Sequence, residues 1–168
     1  AISSATATRS KWAAEVKTKR SLFLSRFQLP DNLLKIATDN DTLWSPDEKK
    51  FLYKQKTADG FDYKIYNLEK PIPVGEKSEY TTFSIKSADE TPKIYWYSDS
   101  YHLILVNGNV EKERKGTIYM VRIDGTNKTE IYNNTLYSDT LFPTPQGDKI
   151  IILTSLKSEE QTDLYAVG

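Results

Sequence analysis

Catalysis by side chains needs residue types that this sequence uses sparingly. His102 is its one histidine, and it has no cysteine. A cysteine nucleophile and a cysteine-based zinc site are therefore excluded. A Ser-His-Asp triad could recruit His102, but the Gly-x-Ser-x-Gly elbow that presents such a serine is missing. His102 heads an apolar stretch beside Ser98-Asp99-Ser100, a setting in which the ring bonds its own turn. No Gly-x-x-x-x-Gly-Lys-Ser/Thr or Gly-x-Gly-x-x-Gly segment is present to cradle phosphate. Asp39-Asn40-Asp41 is the nearest approach to an oxygen-ligand run. It lacks the spaced ligands, central glycine and final glutamate of a calcium loop, and reads as a turn. Glu159-Glu160 is a carboxylate pair in a polar loop; a glycosidase needs its two carboxylates held across a cleft, which adjacency in a loop does not specify. The sequence thus points to no catalytic residue, no metal site and no cofactor. Asn40, Asn127 and Asn133 each begin an Asn-x-Thr acceptor pattern, which Asn- and Thr-rich loops produce by chance.

The chemistry that remains is aromatic. Tyr95-Trp96-Tyr97 sits in a strand-like segment, with Tyr101 in the turn that follows. Strand neighbours face opposite sides, so Trp96 would pack between layers while Tyr95 and Tyr97 point the other way. Tyr95, Tyr97 and Tyr101 are the candidate contact surface for a protein or glycan; the competing reading is that they pack against an adjacent sheet.

These residues need a scaffold, and composition indicates β-structure. The chain has 168 residues, 11 Tyr, 6 Phe and 3 Trp, with 38% hydrophobic residues; aromatic residues suit a half-buried pleated surface. Lys plus Arg and Asp plus Glu both number 23, so no basic excess favours nucleic acid. The mixed-sign run Glu111-Lys112-Glu113-Arg114-Lys115 reads as a solvated hairpin tip. The longest apolar run, Ile150-Ile151-Ile152-Leu153, is strand-length, far short of the roughly 20 residues that cross a bilayer.

Three segments match one another. Leu43-Trp44-Ser45-Pro46-Asp47-Glu48-Lys49-Lys50-Phe51-Leu52-Tyr53 aligns with Tyr95-Trp96-Tyr97-Ser98-Asp99-Ser100-Tyr101-His102-Leu103-Ile104-Leu105, pairing Trp44 with Trp96 and Asp47 with Asp99. In Phe142-Pro143-Thr144-Pro145-Gln146-Gly147-Asp148-Lys149-Ile150, Pro145 stands where Pro46 does. Each copy reads as a short strand, a turn built from residues that preset φ or bond their own backbone, and a returning apolar strand. A Tyr-bearing strand follows each hairpin, and a further strand is expected near Ser78–Ile85 and Thr129–Tyr132. Four short strands repeating every 47 to 52 residues or so form the pattern of propeller blades. The expected fold is all-β: antiparallel four-stranded blades in a partial or open β-propeller of about three blades. Residues 1–9 form a flexible lead-in, and blade-like units cover about 10–38, 39–90, 91–137 and 138–168. Trp12–Val16 and Ser21–Phe27 read as strands of the first unit, with helical spacing of Trp12, Val16, Phe23 and Phe27 as the rival; Asn32–Ala37 reads as a helical turn or a loop.

Trp44-Ser45-Pro46-Asp47-Glu48-Lys49-Lys50-Phe51-Leu52-Tyr53, with Tyr63-Lys64-Ile65-Tyr66 and Gly116–Gly125, resembles the TolB-type, WD-like β-propeller repeat. The second copy departs at Tyr97-Ser98 and the third at Phe142-Pro143-Thr144. Such repeats occur in bacterial envelope and surface proteins, sometimes beside a PEGA domain, and in the gating propellers of serine peptidases. The resemblance implies a non-enzymatic, extracytoplasmic module that binds or scaffolds protein, or alternatively the gating portion of a larger hydrolase. It implies as partner another protein or further blades of a parent chain, with no nucleic acid and no membrane insertion. Bare strand edges would also invite self-association.

Overall fold

The computed structural model describes residues 2–158 and 161–167; the pair Glu159-Glu160 lies outside them. Two units are distinguished, Ala1–Thr42 and Leu43–Gly168.

The first unit is helical: α1 (Ile2–Leu24) and α2 (Asp31–Ala37). The strands expected at Trp12–Val16 and Ser21–Phe27 do not form, and α1 begins within the segment read as a lead-in. The physical reason is composition. No Gly or Pro occurs before Pro30, and Lys11–Arg20 is dominated by Ala, Lys, Glu and Arg, which are strong helix formers. The Thr18 hydroxyl donates back to the Ala14 carbonyl at 2.9 Å. Trp12 is 62% exposed, so the helix is not organised around burying it. Burial begins at the C-terminal end, where Leu24 is fully enclosed and the Phe23 and Phe27 rings lie 5.1 Å apart. Asn32–Ala37 falls within α2, whose Leu34 N–H donates to the Pro30 carbonyl at 2.9 Å.

The second unit is three antiparallel sheets. The first blade runs β1 (Leu43–Trp44), β2 (Lys50–Lys56), β3 (Gly60–Asn67) and β4 (Glu79–Lys86) in sequential order. The second is β5 (Lys93–Trp96), β6 (His102–Asn107), β7 (Lys115–Arg122) and β8 (Thr129–Thr135). The third has β9 (Phe142–Pro143), β10 (Ile150–Ser158) and β11 (Gln161–Val167). This is the expected partial β-propeller of three blades. The charged tip between β6 and β7 carries one short helix, α3 (Val110–Glu113), whose Lys112 N–H donates to the Asn109 side chain at 3.3 Å; Glu111–Lys115 is exposed.

The turn that opens each blade repeats in its backbone bonds. Ser45 N–H donates to the Lys50 carbonyl and Glu48 N–H to the Ser45 carbonyl, at 2.8 and 2.9 Å. Tyr97, His102 and Ser100 reproduce these bonds at 2.9 and 3.1 Å, and Thr144, Lys149 and Gly147 at 2.9 and 3.0 Å. The fourth residue is left-handed each time: Glu48, Ser100 and Gly147 have φ of 56°, 62° and 70°. Only the third copy uses the residue that adopts this conformation without cost.

Alternation along the strands gives each blade two faces, and the blades stack face to face. Leu52, Tyr63 and Ile65 of the first blade meet Leu103, Leu105 and Val121 of the second. Ile104, Val106 and Ile118 on the other face of the second meet Ile150 and Ile152 of the third. The outermost strand of each complete blade carries a bulge at one shared register position, between Tyr63/Lys64 on β3 and between Ile118/Tyr119 on β7.

Candidate functional site

Because the turns are equivalent, the same positions reach across each blade junction, and their side chains decide what each junction does. At the first junction Lys50 is completely buried. Its Nζ lies 3.0 Å from Asp47 Oδ2 and 3.2 Å from Glu69 Oε2, and 4.1 Å from the Tyr101 ring centroid. Burial alone would raise the Asp47 pKa, but hydrogen bonds from Ser45 Oγ, the Lys49 N–H and the Lys50 ammonium outweigh it and hold it below the ordinary carboxylate value. For Glu69, burial is likewise outweighed, here by the Tyr101 hydroxyl and the Lys50 ammonium. The Tyr101 hydroxyl donates to Glu69 Oε2 at 2.9 Å; burial and that carboxylate push its pKa up to about 12. Arg122 extends the cluster by pairing with Glu76 and Asp124. Two backbone contacts also cross the junction. Asp47 N–H donates to Ser100 Oγ at 3.0 Å, and Thr82 Oγ1 donates to the Ile123 carbonyl at 2.6 Å.

The second junction has no buried charge pair among the described residues. Tyr97 donates its hydroxyl to the Gly147 carbonyl at 2.6 Å, and Tyr95 donates to the Asp139 carbonyl at 3.1 Å. Burial, then the nearby Asp99 and Asp148 charges, raise the Tyr97 pKa.

The three tyrosines proposed as a contact surface therefore do not share one. Tyr95 and Tyr97 pack against the core between the second and third blades, while Tyr101 belongs to the charged cluster at the first junction. Trp96 faces the first blade, as alternation requires, and its indole N–H donates to the Leu43 carbonyl at 3.0 Å. Trp44 packs on Phe51, ring centroids 5.2 Å apart. Asp99 Oδ1 accepts from the Tyr101 and His102 N–H groups at 2.8 and 3.0 Å, and Asp99 Oδ2 lies 2.6 Å from His102 Nδ1. Pro145 occupies the second position of the third turn and is exposed. There Gln146 replaces the Asp47 carboxylate, and Asp148 supplies one instead, accepting from Thr144 Oγ1 at 2.8 Å.

Sequence reasoning missed Lys50 and Glu69, whose meeting depends on the strand pairing of Lys50 with Asn67. It also missed the far face of the third blade. Ile151 lies opposite both Phe142 and Ala166, and Leu153 opposite Leu164, so these five residues share the face turned away from the second blade. Phe142 and Leu164 are 60% and 68% exposed. Leu164 holds the register position of Tyr63 and Ile118, which are 6% and 1% exposed.

No protein-family model matches the sequence, and no curated protein matches it. Among solved structures it is similar to a putative TolB from Agrobacterium tumefaciens, with 19% identity over 68% of this chain and 38% of that one, at a TM-score of 0.43. It is similar to TolB from Acinetobacter baumannii at 15% identity, covering 74% of this chain and 28% of that one, TM-score 0.47. It is also similar to prolyl oligopeptidase B from Galerina marginata at 15% identity, covering 74% and 18%, TM-score 0.43. Two of the three are TolB proteins, whose repeat the turn motif resembles. The chain spans between 18% and 38% of the length of these structures.

Proposed function

We propose that this chain is a non-enzymatic interaction module whose binding surface is the far face of its third blade. One observation carries the reading. Phe142, Ile151, Leu153, Leu164 and Ala166 form an uncharged apolar face, with Phe142 and Leu164 60% and 68% exposed, at positions that the first two blades bury. Exposed contiguous apolar surface of this kind marks an interaction site. The residues with perturbed titration are engaged in blade-to-blade contacts, and His102 bonds its own turn, which supports a scaffold rather than a catalyst. The TolB-type turn motif supports an extracytoplasmic setting; no helix among the described residues is long and apolar enough to cross a membrane. The test is binding of an environment-sensitive apolar dye to the folded protein. Dye fluorescence should rise with the wild-type chain and fall by more than half in the Phe142→Ser, Leu164→Ser double variant with unchanged circular dichroism. Equal fluorescence from both proteins would overturn the reading.

A further inference from the structure

β11 pairs with β10 on one side and, among the described residues, with nothing on the other. In the first two blades the equivalent edge is filled. β4 covers β3, with Ile65 opposite Tyr80, Lys64 opposite Thr81 and Tyr63 opposite Phe83. β8 covers β7, with Met120 opposite Thr129, Tyr119 opposite Glu130 and Ile118 opposite Tyr132. Both covering strands therefore read alike: a β-favouring residue, a polar residue, one bulged residue, then an aromatic. The aromatic closes the apolar face, as Phe83 does by stacking on Tyr63 at 4.7 Å. On β11 the positions that would meet this pattern are Ala166, Tyr165 and Leu164.

The β11 edge also lacks protection. Natural edge strands are blunted by lysine, proline or bulges. Gln161–Val167 has neither lysine nor proline, and its one charge is Asp163. Resting on the far-face reading above, we infer that β11 accepts an extended segment of another polypeptide as a fourth, antiparallel strand. That segment places an aromatic side chain opposite Leu164 and a bulge just before it. Main-chain hydrogen bonds supply affinity and the aromatic supplies selectivity, the division of labour in strand addition.

The protein contains its own probe for this. A fluorophore-labelled synthetic peptide with the sequence of β4, Glu79–Lys86, is titrated into the full chain and followed by anisotropy, with amide hydrogen exchange locating the contact. Saturable binding and slowed exchange in residues 161–167 are expected. A peptide carrying Phe83→Asp, and separately a chain carrying Leu164→Lys, should each bind at least about tenfold more weakly, equivalent to about 1.4 kcal/mol. Slowed exchange in 60–67, which means exchange with the resident β4, would overturn the inference. So would the absence of saturable binding, or protection of 161–167 that grows with concentration of the chain alone, which assigns the edge to a second copy. Dye binding at the far face without peptide binding would reject strand addition while leaving the apolar face standing; loss of both would reject the two together.

Discussion

The two blade junctions share one register and differ in chemistry. Each stacks aliphatic rows of neighbouring sheets, and each ties the turn of one blade to the next. The first does so with a buried lysine held between two carboxylates and a ring. The second uses tyrosine hydroxyls bonded to backbone carbonyls. Lys149 makes the contrast sharper: it holds the position of Lys50 in the third turn, yet its side chain is 55% exposed and its nearest carboxylate, Asp148, lies 3.9 Å away. The same residue type at the same repeat position is buried where the next blade covers it and solvated where no described residue does. The burial of Lys50 is therefore a property of the junction, not of the turn.

The largest expected break in this comparison is Lys50→Ala. It leaves Asp47 and Glu69 buried without their cation and should cost about 3–5 kcal/mol. Lys149→Ala should change stability by no more than about 0.5 kcal/mol. Urea unfolding of the two variants checks both figures. Gly125→Ala comes next. Gly125 has φ of +82°, and an added Cβ would lie 2.6 Å from the Thr82 carbonyl oxygen across the first junction. A loss of about 1–3 kcal/mol is expected, read from the same unfolding curves.

Titration separates the junctions without mutation. Asp47, Glu69 and Asp124 all ionise below their ordinary values. Their contribution is complete above about pH 4 and disappears as pH falls through the lower folded values. Tyr101, raised to about 12, favours folding below about pH 10 and loses that contribution as pH climbs through its folded value. The first junction should open before the second at both extremes. Amide exchange in β4 and β5 against β9 and β10 measures this, and simultaneous opening would contradict it. The smallest effect is Tyr97→Phe, which removes the bond to the Gly147 carbonyl; it should cost about 0.5–1.5 kcal/mol and leave the pH profile of the first junction untouched.

What the sequence made legible was local. Ser45-Pro46-Asp47 and its two relatives located the turns, and the apolar runs after them became β2, β6 and β10 because both signals act over a few residues. The third turn was the hardest to align because Thr144 does the work of Ser45 while its carboxylate partner moves from Asp47 to the place of Lys49. Contacts between blades were not legible. Asp47 and Ser100 stand 53 residues apart, and Tyr101 and Glu69 stand 32 apart; nothing local to either marks the meeting. The helix at the N-terminus failed for another reason. Trp12, Val16 and Phe23 fit either period, and the helix-forming residues between them decided the outcome.

The bulge shared by β4 and β8 has a consequence for construction. A bulge bends a strand and increases its twist, so a fixed bulge at a fixed register gives successive blades a common increment of rotation. A segment running from one turn to the next then behaves as a tile with its angle built in. Copies joined in tandem would curve by equal steps, and the size of any ring they close would be set by backbone geometry rather than by the residues on the blade faces.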